Sequence, residues 1–259
     1  MLKNKLKLRN VVAIAICLAV TTFFSGCDSY SDEMPISSVK LVSRIDCNDG
    51  YYDYYDYTTK YEYDAQNRII KILTTNDYGG IDTLIITYPS ANRIVMYQKN
   101  NIDTLTMNSD GSVASFNSSI LTYNNGHLQT IEWSLETVDL GIIETYIETR
   151  IWENGNIKTL TIDRKYNTQS WHNSSHTENF EYGSTLNKPI SIDFGFSEGS
   201  GGLPRGWFGK STINLPSKKI IKYDTDVYTT TYRYEIDAEG YVTKMYDEVN
   251  KRILSIQYK

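Results

Sequence analysis

A short β-hairpin unit that recurs along the chain constrains the fold more than any other feature of the sequence. Its clearest copy, residues 61–72 (YEYDAQNRIIKI), places Tyr61 and Tyr63 around Glu62, turns at a polar corner and starts a second apolar run. Related corners have Gly or Asn where a turn needs positive φ, and then an aliphatic residue that re-enters the core. They read Asn67-Arg68-Ile69, Asn92-Arg93-Ile94, Gly111-Ser112-Val113, Gly126-His127-Leu128, Gly155-Asn156-Ile157, Asn187-Lys188-Pro189-Ile190 and Gly240-Tyr241-Val242. The repetition predicts a meander of antiparallel hairpins.

Composition agrees with this fold class. The chain has 22 Tyr against 7 Phe and 4 Trp, and Tyr, Ile and Thr are residues that favour strands. We predict an all-β protein: an antiparallel hairpin meander curled into a barrel-like or strongly twisted sheet, with little helix outside the N-terminal leader. The corners lie about 15 to 30 residues apart, which is too irregular for a strict solenoid. Residues 37–259 are therefore expected to form a single all-β domain.

Two segments carry finer expectations. Residues 142–152 alternate in polarity, as a strand does. The spacing of the apolar residues also fits a helix, but Gly141 and the β-branched content favour a strand. Residues 197–209 (SEGSGGLPRGWFG) break regular structure but are too apolar for a free loop, so we expect them to fold back and plug or cap one end of the sheet. In residues 142–152 we assign the isoleucine face to the core and the charged face to solvent: Ile143, Ile147 and Ile151 against Glu144, Glu148 and Arg150.

The first 26 residues have the composition of an export leader. Four basic residues precede an apolar run at positions 11–24, and Ser25-Gly26 place small residues directly before Cys27. The run is too short for a comfortable membrane span. The tetrapeptide at 24–27 (FSGC) resembles the lipobox of bacterial lipoproteins, with Phe where Leu is usual. The resemblance implies a lipid on Cys27 and a membrane anchor, followed by an acidic tether at residues 27–36; the alternative is a secretory peptide with a chance cysteine.

Charge and cysteine content exclude several classes of protein. The formal charge of −5 becomes −9 when the leader removes four basic residues, so nucleic acid is not an expected partner. With Cys17 in the leader and Cys27 lipidated, Cys47 is a single thiol and no internal disulfide can form. The two histidines of WHNSSH, His172 and His176, have the i, i+4 spacing that shares a metal only on a helix, and their surroundings favour a turn. We therefore predict no metal site, no cofactor and no catalytic residue.

The lipobox, the repeated corners and residues 206–216 (GWFGKSTINLP) together resemble a family of Bacteroides-type gut-bacterial lipoproteins with a porin-like fold. The resemblance implies a meander curled into a barrel and carries over no catalytic residues. A spanning barrel needs strands with an apolar outward face. The mean hydropathy of −0.42 and the mixed strands here favour a tethered barrel over a spanning one.

The leading functional hypothesis is a non-catalytic binding or interaction domain anchored in the outer membrane of a Gram-negative bacterium and exposed at its surface. Its ligand would be extracellular, with glycan suggested by the aromatic side chains, or it would be an envelope partner. Alternatives are a hydrolase with carboxylates assembled by the fold, and a purely structural envelope protein. The predicted ligand surface comprises Tyr52, Tyr54, Tyr55, Trp207 and Phe208, whose alternative role is to cover the sheet.

Two Asp–Thr–Leu segments, at Thr83 and Thr104, resemble a motif for O-glycosylation of exported proteins in the same bacteria. The alternative is that both are ordinary strand starts.

Replacing Cys27 tests the anchor. In cells fed radiolabelled palmitate, Cys27→Ser is expected to lose the label and to leave the membrane fraction, because the acyl chains supply the membrane affinity. Cys47→Ser is the matched control and should keep both. Label retained on Cys27→Ser would contradict the lipobox interpretation.

Overall fold

The computed structural model describes residues 39–49, 56–116, 119–137, 141–168, 172–192 and 205–259. Within these ranges the chain forms one closed barrel of sixteen antiparallel strands in which each strand pairs with its neighbour in sequence. Pairing of the first strand with the last, from Val42 with Tyr258 to Asp49 with Arg252, closes the ring. The strands are β1 (Val42–Asp49), β2 (Tyr57–Tyr63), β3 (Ile69–Asn76), β4 (Ile81–Ser90), β5 (Arg93–Gln98), β6 (Asn101–Met107), β7 (Val113–Phe116), β8 (Ser119–Asn124), β9 (His127–Thr137), β10 (Ile142–Glu153), β11 (Asn156–Tyr166), β12 (Ser174–Leu186), β13 (Asn214–Tyr223), β14 (Asp226–Ile236), β15 (Val242–Asp247) and β16 (Arg252–Tyr258). The predicted fold class is confirmed.

None of the residues in these ranges belongs to a helix that is long and apolar enough to cross a bilayer.

The two ends of the barrel differ. The chain enters β1 and leaves β16 at the same end, where the connection between β12 and β13 also lies; we call this the plug end. The opposite end is the mouth. Strands β9 to β14 have 10 to 13 residues, whereas β5 to β8 have 4 to 7, so the wall is taller on one side.

A bulge marks every hairpin at the plug end. Each even-numbered strand pairs with the next odd-numbered strand through a register shift, and β16 pairs with β1 through another. The pairings made at the mouth, from each odd strand to the next even one, run in regular register. A bulge bends its strand and increases the local twist. The same bulged strand pair thus occurs eight times around the barrel. In six of the eight a short turn joins the two strands into a hairpin, which is the unit seen in the sequence.

An aromatic hydrogen bond accompanies seven of the eight bulges. In each, a ring at the end of an even strand donates to the backbone carbonyl at the start of the preceding odd strand, at 2.5 to 2.8 Å. Burial raises the pKa of Tyr63 to about 12, so its hydroxyl keeps the proton that it donates. We call these seven residues the aromatic ring: Tyr63, Tyr88, Tyr123, Trp152, Tyr182, Tyr234 and Tyr258, which donate to Val42, Ile69, Val113, Leu128, Ile157, Pro216 and Val242.

The predicted turn chemistry holds at most corners. Positive φ occurs at Asn67, Gly111, Gly126, Gly155 and Gly240, the positions where the sequence predicted it. The corner at residues 187–190 is different, because it opens the long connection between β12 and β13 and forms no hairpin. Its prediction as a hairpin corner was wrong, since Pro189 and Ile190 continue into the barrel end.

The long connection closes the plug end. Residues 187–192 and 205–213, which we call the plug, bring Ile190, Ile192 and Trp207 into the main apolar cluster. Backbone hydrogen bonds join the plug to the barrel wall. Val113 N–H donates to the Trp207 carbonyl at 2.7 Å, and Lys210 N–H donates to the Gly126 carbonyl at 2.7 Å. The predicted plugging role is confirmed for the described part of the segment.

Gly209 shows why a glycine is needed in the plug. Its φ is +79°, and a Cβ atom there would lie 2.3 Å from the carbonyl oxygen of Gly126. Only a residue without a side chain allows the two backbones to approach this closely.

The interior is apolar near the plug and the outer wall carries charge. Side chains from nearly every strand, such as Ile72, Ile86 and Leu105, converge in the main cluster. Outside, Lys71 pairs with Glu62 at 2.6 Å. Spanning barrels have an apolar outward band and a polar interior, so the polarity here is reversed over this part of the wall. The outer wall of β4 to β8 is instead apolar, with exposed Ile81, Ile85, Tyr97, Ile102 and Ile120.

The two faces of β10 are the reverse of the prediction. The isoleucine face points outward, with Ile151 56% exposed, while Glu148 and Arg150 are buried inside the barrel. Alternation gives the period of a strand but not which face is inside, and here a buried ion pair reverses the usual choice.

Removing one hydroxyl from the aromatic ring is expected to destabilise the barrel. Tyr88→Phe leaves the Ile69 carbonyl without its donor, 2.7 Å away, and should lower the free energy of unfolding by about 1–2 kcal/mol. Chemical denaturation measures the change. Tyr97→Phe, on the exposed outer wall, is the control and should change little. Equal effects of the two variants would contradict a structural role for the ring.

Candidate functional site

The mouth is lined by aromatic side chains that point into the barrel. They come from six neighbouring strands, and pairing places them on the face that also carries buried residues such as Glu148 and Phe180. Most are half-buried, whereas Tyr223 is 37% and Tyr228 57% exposed. Exposed rings on an inward face are unusual in a packed core and typical of binding sites. We call this set the aromatic lip: Trp133, Tyr146, Tyr166, His176, Tyr223 and Tyr228.

Contacts between neighbouring rings fix the orientation of several lip residues. Trp133 and Tyr146 stack with centroids 5.2 Å apart and an angle of 15°. His176 lies against Tyr223 at 4.6 Å and 30°. Tyr228 meets Tyr223 edge-on at 6.0 Å. Such rings lose little conformational freedom on binding, which makes them effective anchors for a flat ligand.

A cation borders the stacked pair. The guanidinium of Arg164 lies 5.8 Å from the centre of the Tyr146 ring, and Arg164 pairs with Tyr146 across β10 and β11. The side chain of Arg164 is exposed.

Below the lip lies a layer of buried ion pairs. Arg150 donates to Glu148 at 2.6 Å, and Lys219 lies 3.3 Å from Glu178, whose side chain is fully buried. Charges removed from water need such partners, since an unpaired buried charge costs several kcal/mol.

Tyr232 lies beside this layer. Burial raises the pKa of its hydroxyl, and the negative charges of Asp247 and Glu178 raise it further. The phenol therefore stays neutral among the surrounding carboxylates.

Three of the inward carboxylates have structural partners. Glu148 and Glu178 each have a cation partner, and Asp247 accepts the backbone N–H groups of Val249 and Asn250 in a turn. Within the described part of the chain there is no group of three or more metal-ligating side chains placed to hold a metal ion.

A second concavity opens near the start of β2. It has a volume of about 230 Å³ and is lined by polar groups that include Asp46, Asn48, Asp56 and Tyr57. Asp56 is engaged there, because it accepts from the Asn48 amide at 2.9 Å. Residues 50–55, which separate Asp49 from Asp56 in the sequence, lie outside the described residues.

Cys47 points into the barrel beside the second concavity. Burial raises the pKa of its thiol, which keeps the less reactive protonated form.

The predicted ligand surface is not assembled as expected. Tyr52, Tyr54 and Tyr55 lie outside the described residues, as does the predicted lipid site Cys27. Trp207 has no exposed surface and packs in the core, a correction that follows from the closing of the plug end. Phe208 packs against the same core. Neither residue lies at the mouth, where the aromatic lip is found.

The other singled-out residues have definite positions. Thr83 and Thr104 point outward from β4 and β6, since their neighbours Leu84 and Leu105 are buried inside. The two positions are accessible along the wall, and their glycosylation remains a prediction.

His127, which belongs to one of the predicted corners, is half-buried in the structure. Its ring lies 4.3 Å from that of Trp152, and burial lowers its pKa below the usual value. The reason is the plug, whose Gly209 bridges to the His127 backbone and covers it.

Sequence reasoning missed the aromatic lip. The chain has 22 tyrosines, and nothing in the sequence around the lip residues distinguishes them from the aromatic ring at the opposite end. The available signal was strand length: β9 to β14 extend past the layer of ion pairs, so their inward residues beyond it reach the mouth.

Comparison with solved structures identifies the fold. The chain resembles the crystal structure of a porin-like protein from Bacteroides uniformis ATCC 8492, with a TM-score of 0.58 and 17% identity over 84% of this chain and 98% of that one. A porin-like protein from Bacteroides vulgatus ATCC 8482 gives a TM-score of 0.49 and 14% identity over 85% of this chain and 99% of that one. No protein-family model matches the chain. No curated protein matches it either.

The first of these likenesses defines the class to which the architecture belongs, a porin-like β-barrel. The resemblance predicted from the lipobox, the corners and residues 206–216 is confirmed at the level of the fold.

Two adjacent lysines of β13 provide a test of the buried layer. Lys219→Met leaves Glu178 charged and buried without its partner, and should lower the free energy of unfolding by about 3–5 kcal/mol. Lys218→Met removes an outward pair with Glu181, 55% exposed, and should cost less than about 1 kcal/mol. Urea denaturation compares them. Similar losses would show that the layer is not energetically distinct from the surface.

Proposed function

We propose that this protein is a non-catalytic binding barrel, held at the outer membrane of a Gram-negative cell by a lipid on Cys27, that takes a glycan at the aromatic lip. The observation that carries the proposal is the lip itself, a set of inward-facing rings that remain accessible at the end of the barrel opposite the apolar plug. Aromatic faces pack against the C–H surface of sugar rings, while the polar groups around them satisfy hydroxyl groups.

The wall and the plug favour a tethered barrel over a conducting one. Among the described residues of the plug, Ile190, Ile192 and Trp207 are buried in the main apolar cluster, where a conducting barrel would need a polar path. Outward pairs such as Lys71 with Glu62 and Lys218 with Glu181 would be costly in lipid. A lipid on Cys27 supplies the membrane attachment that such a wall does not.

Binding is favoured over hydrolysis because Glu148 and Glu178, two buried carboxylates near the mouth, are committed to ion pairs. A glycosidase needs two carboxyl groups facing a common substrate, one of them able to give up a proton. Glu148 and Glu178 instead each face a cation.

Surface exposure follows from the proposed ligand. A binding mouth for polysaccharide is useful on the outer face of the membrane, where such polymers are met. The leader and the lipobox at residues 24–27 support export, and the acidic tether is the segment that would carry the barrel away from the bilayer.

Glycan screening with mouth variants tests the proposal. The mature lipidated protein, purified in detergent, is expected to bind one or more polysaccharides, and Trp133→Ala should weaken binding about tenfold or more by removing half of the stacked pair. Tyr228→Ala should also weaken it. Tyr97→Ala, on the outer wall, is the matched control and should bind like the unchanged protein. Failure to bind any polysaccharide, or equal binding by the lip variants, would overturn the proposal.

A further inference from the structure

We infer that the glycan is acidic, and that the row Trp133–Tyr146–Arg164 binds a sugar that carries a carboxylate, such as a uronic acid. This inference rests on the proposed function and adds the chemical class of its ligand. The three side chains come from β9, β10 and β11, and we call them the stacking row.

The stacking row is built by strand pairing. Trp133 is the partner of Tyr146, and Tyr146 is the partner of Arg164, so the three lie side by side on one rung of the sheet. Directly paired residues place their Cβ atoms about 4.5–5.5 Å apart. The result is a stack in which Tyr146 lies between the Trp133 ring, at 5.2 Å and 15°, and the guanidinium of Arg164, 5.8 Å from the Tyr146 centroid.

Arg164 differs from the other cations around the mouth in what it contacts. Arg150 is paired with Glu148 at 2.6 Å, and Arg252 with Asp49 at 3.0 Å. Arg164 makes no ion pair within the described ranges, and its contact there is the face of Tyr146.

The acids closest to Arg164 in the sheet are directed elsewhere. Asp163 is next to it in sequence and therefore points to the outer face. Glu144, one rung nearer the opening, is paired across the strands with Tyr166 and interacts with its hydroxyl. The guanidinium thus remains available to an anion from outside.

The chemistry of the row fits a uronic acid. The edges of the stacked Trp133 and Tyr146 rings that point into the barrel can contact the C–H surface of the sugar. Arg164 beside them can bind the carboxylate at C6 through two parallel N–H···O bonds. Contact with the Tyr146 ring limits the orientations of the guanidinium, so less freedom is lost when the carboxylate arrives. A neutral sugar would use the rings but gain nothing from the charge.

A matched pair of ligands and a matched pair of variants test this inference. Oligogalacturonate and its methyl ester have the same sugar rings and differ in the charge of the carboxyl group. We expect the detergent-purified mature protein to bind the acid about tenfold or more tightly than the ester by calorimetry. Arg164→Gln should abolish that preference, so that the acid and the ester bind with equal affinity.

Lys165→Gln is the control, because Lys165 is the next residue on β11 and points to the outer wall, opposite Thr145. It should retain the preference for the acid. Arg164 is exposed, so both variants should keep the melting temperature of the unchanged protein, which verifies their fold.

The outcomes separate the two proposals. Equal affinity for acid and ester, or a preference that survives in Arg164→Gln, overturns the acidic ligand and leaves the binding function standing if Trp133→Ala weakens both. If neither ligand nor any other polysaccharide binds, the proposed function fails and this inference fails with it.

Discussion

The barrel depends on one repeated interaction, the hydrogen bond from an aromatic side chain to a backbone carbonyl at a bulge. Each hairpin bends at the plug end because an extra residue interrupts its ladder, and this bend helps to turn a sixteen-stranded sheet back on itself. The interruption leaves carbonyl groups near the apolar core in need of donors. Seven rings, from Tyr63 on β2 to Tyr258 on β16, supply them. The same seven residues therefore lie where the sheet bends, donate to the backbone carbonyls there and pack beside the core. The plug packs against the core at the same end.

The interior then changes character along the barrel axis. Near the plug it is a conventional core, closed by Trp207 and the two buried isoleucines of the plug. Toward the mouth the taller strands β9 to β14 carry Glu148 with Arg150 and Glu178 with Lys219, and then the aromatic lip. Buried ion pairs contribute little to net stability, since desolvation offsets their attraction. Stability alone does not explain a layer of them beneath accessible rings, because an apolar core would avoid the cost of desolvation. The explanation that we propose is a ligand site.

Much of the fold could be predicted from the sequence, and the site could not. The corners at Asn67, Gly111 and Gly240 specify tight turns through φ > 0, which is a local property, so a hairpin meander follows from composition and spacing. Trp207, assigned to the ligand surface, is buried because the plug closes one end of the barrel. The solvent face assigned to Glu148 was wrong for a different reason. Period-two alternation marks two faces without saying which is inside, and the usual assumption that apolar means inside fails where the interior is polar.

The sequence by itself determined the hairpin unit, its turns and the strand-forming composition, because each of these depends on residues close together in the chain. The tertiary structure decided which ends of those hairpins are closed and which are open. The plug brings residues 187–192 and 205–213 against β1, β7 and β9, and the lip gathers side chains from six strands between Trp133 and Tyr228. Pairing β1 with β16 fixes all of these positions at once, since closing the ring sets the direction of every side chain, inward or outward, around it.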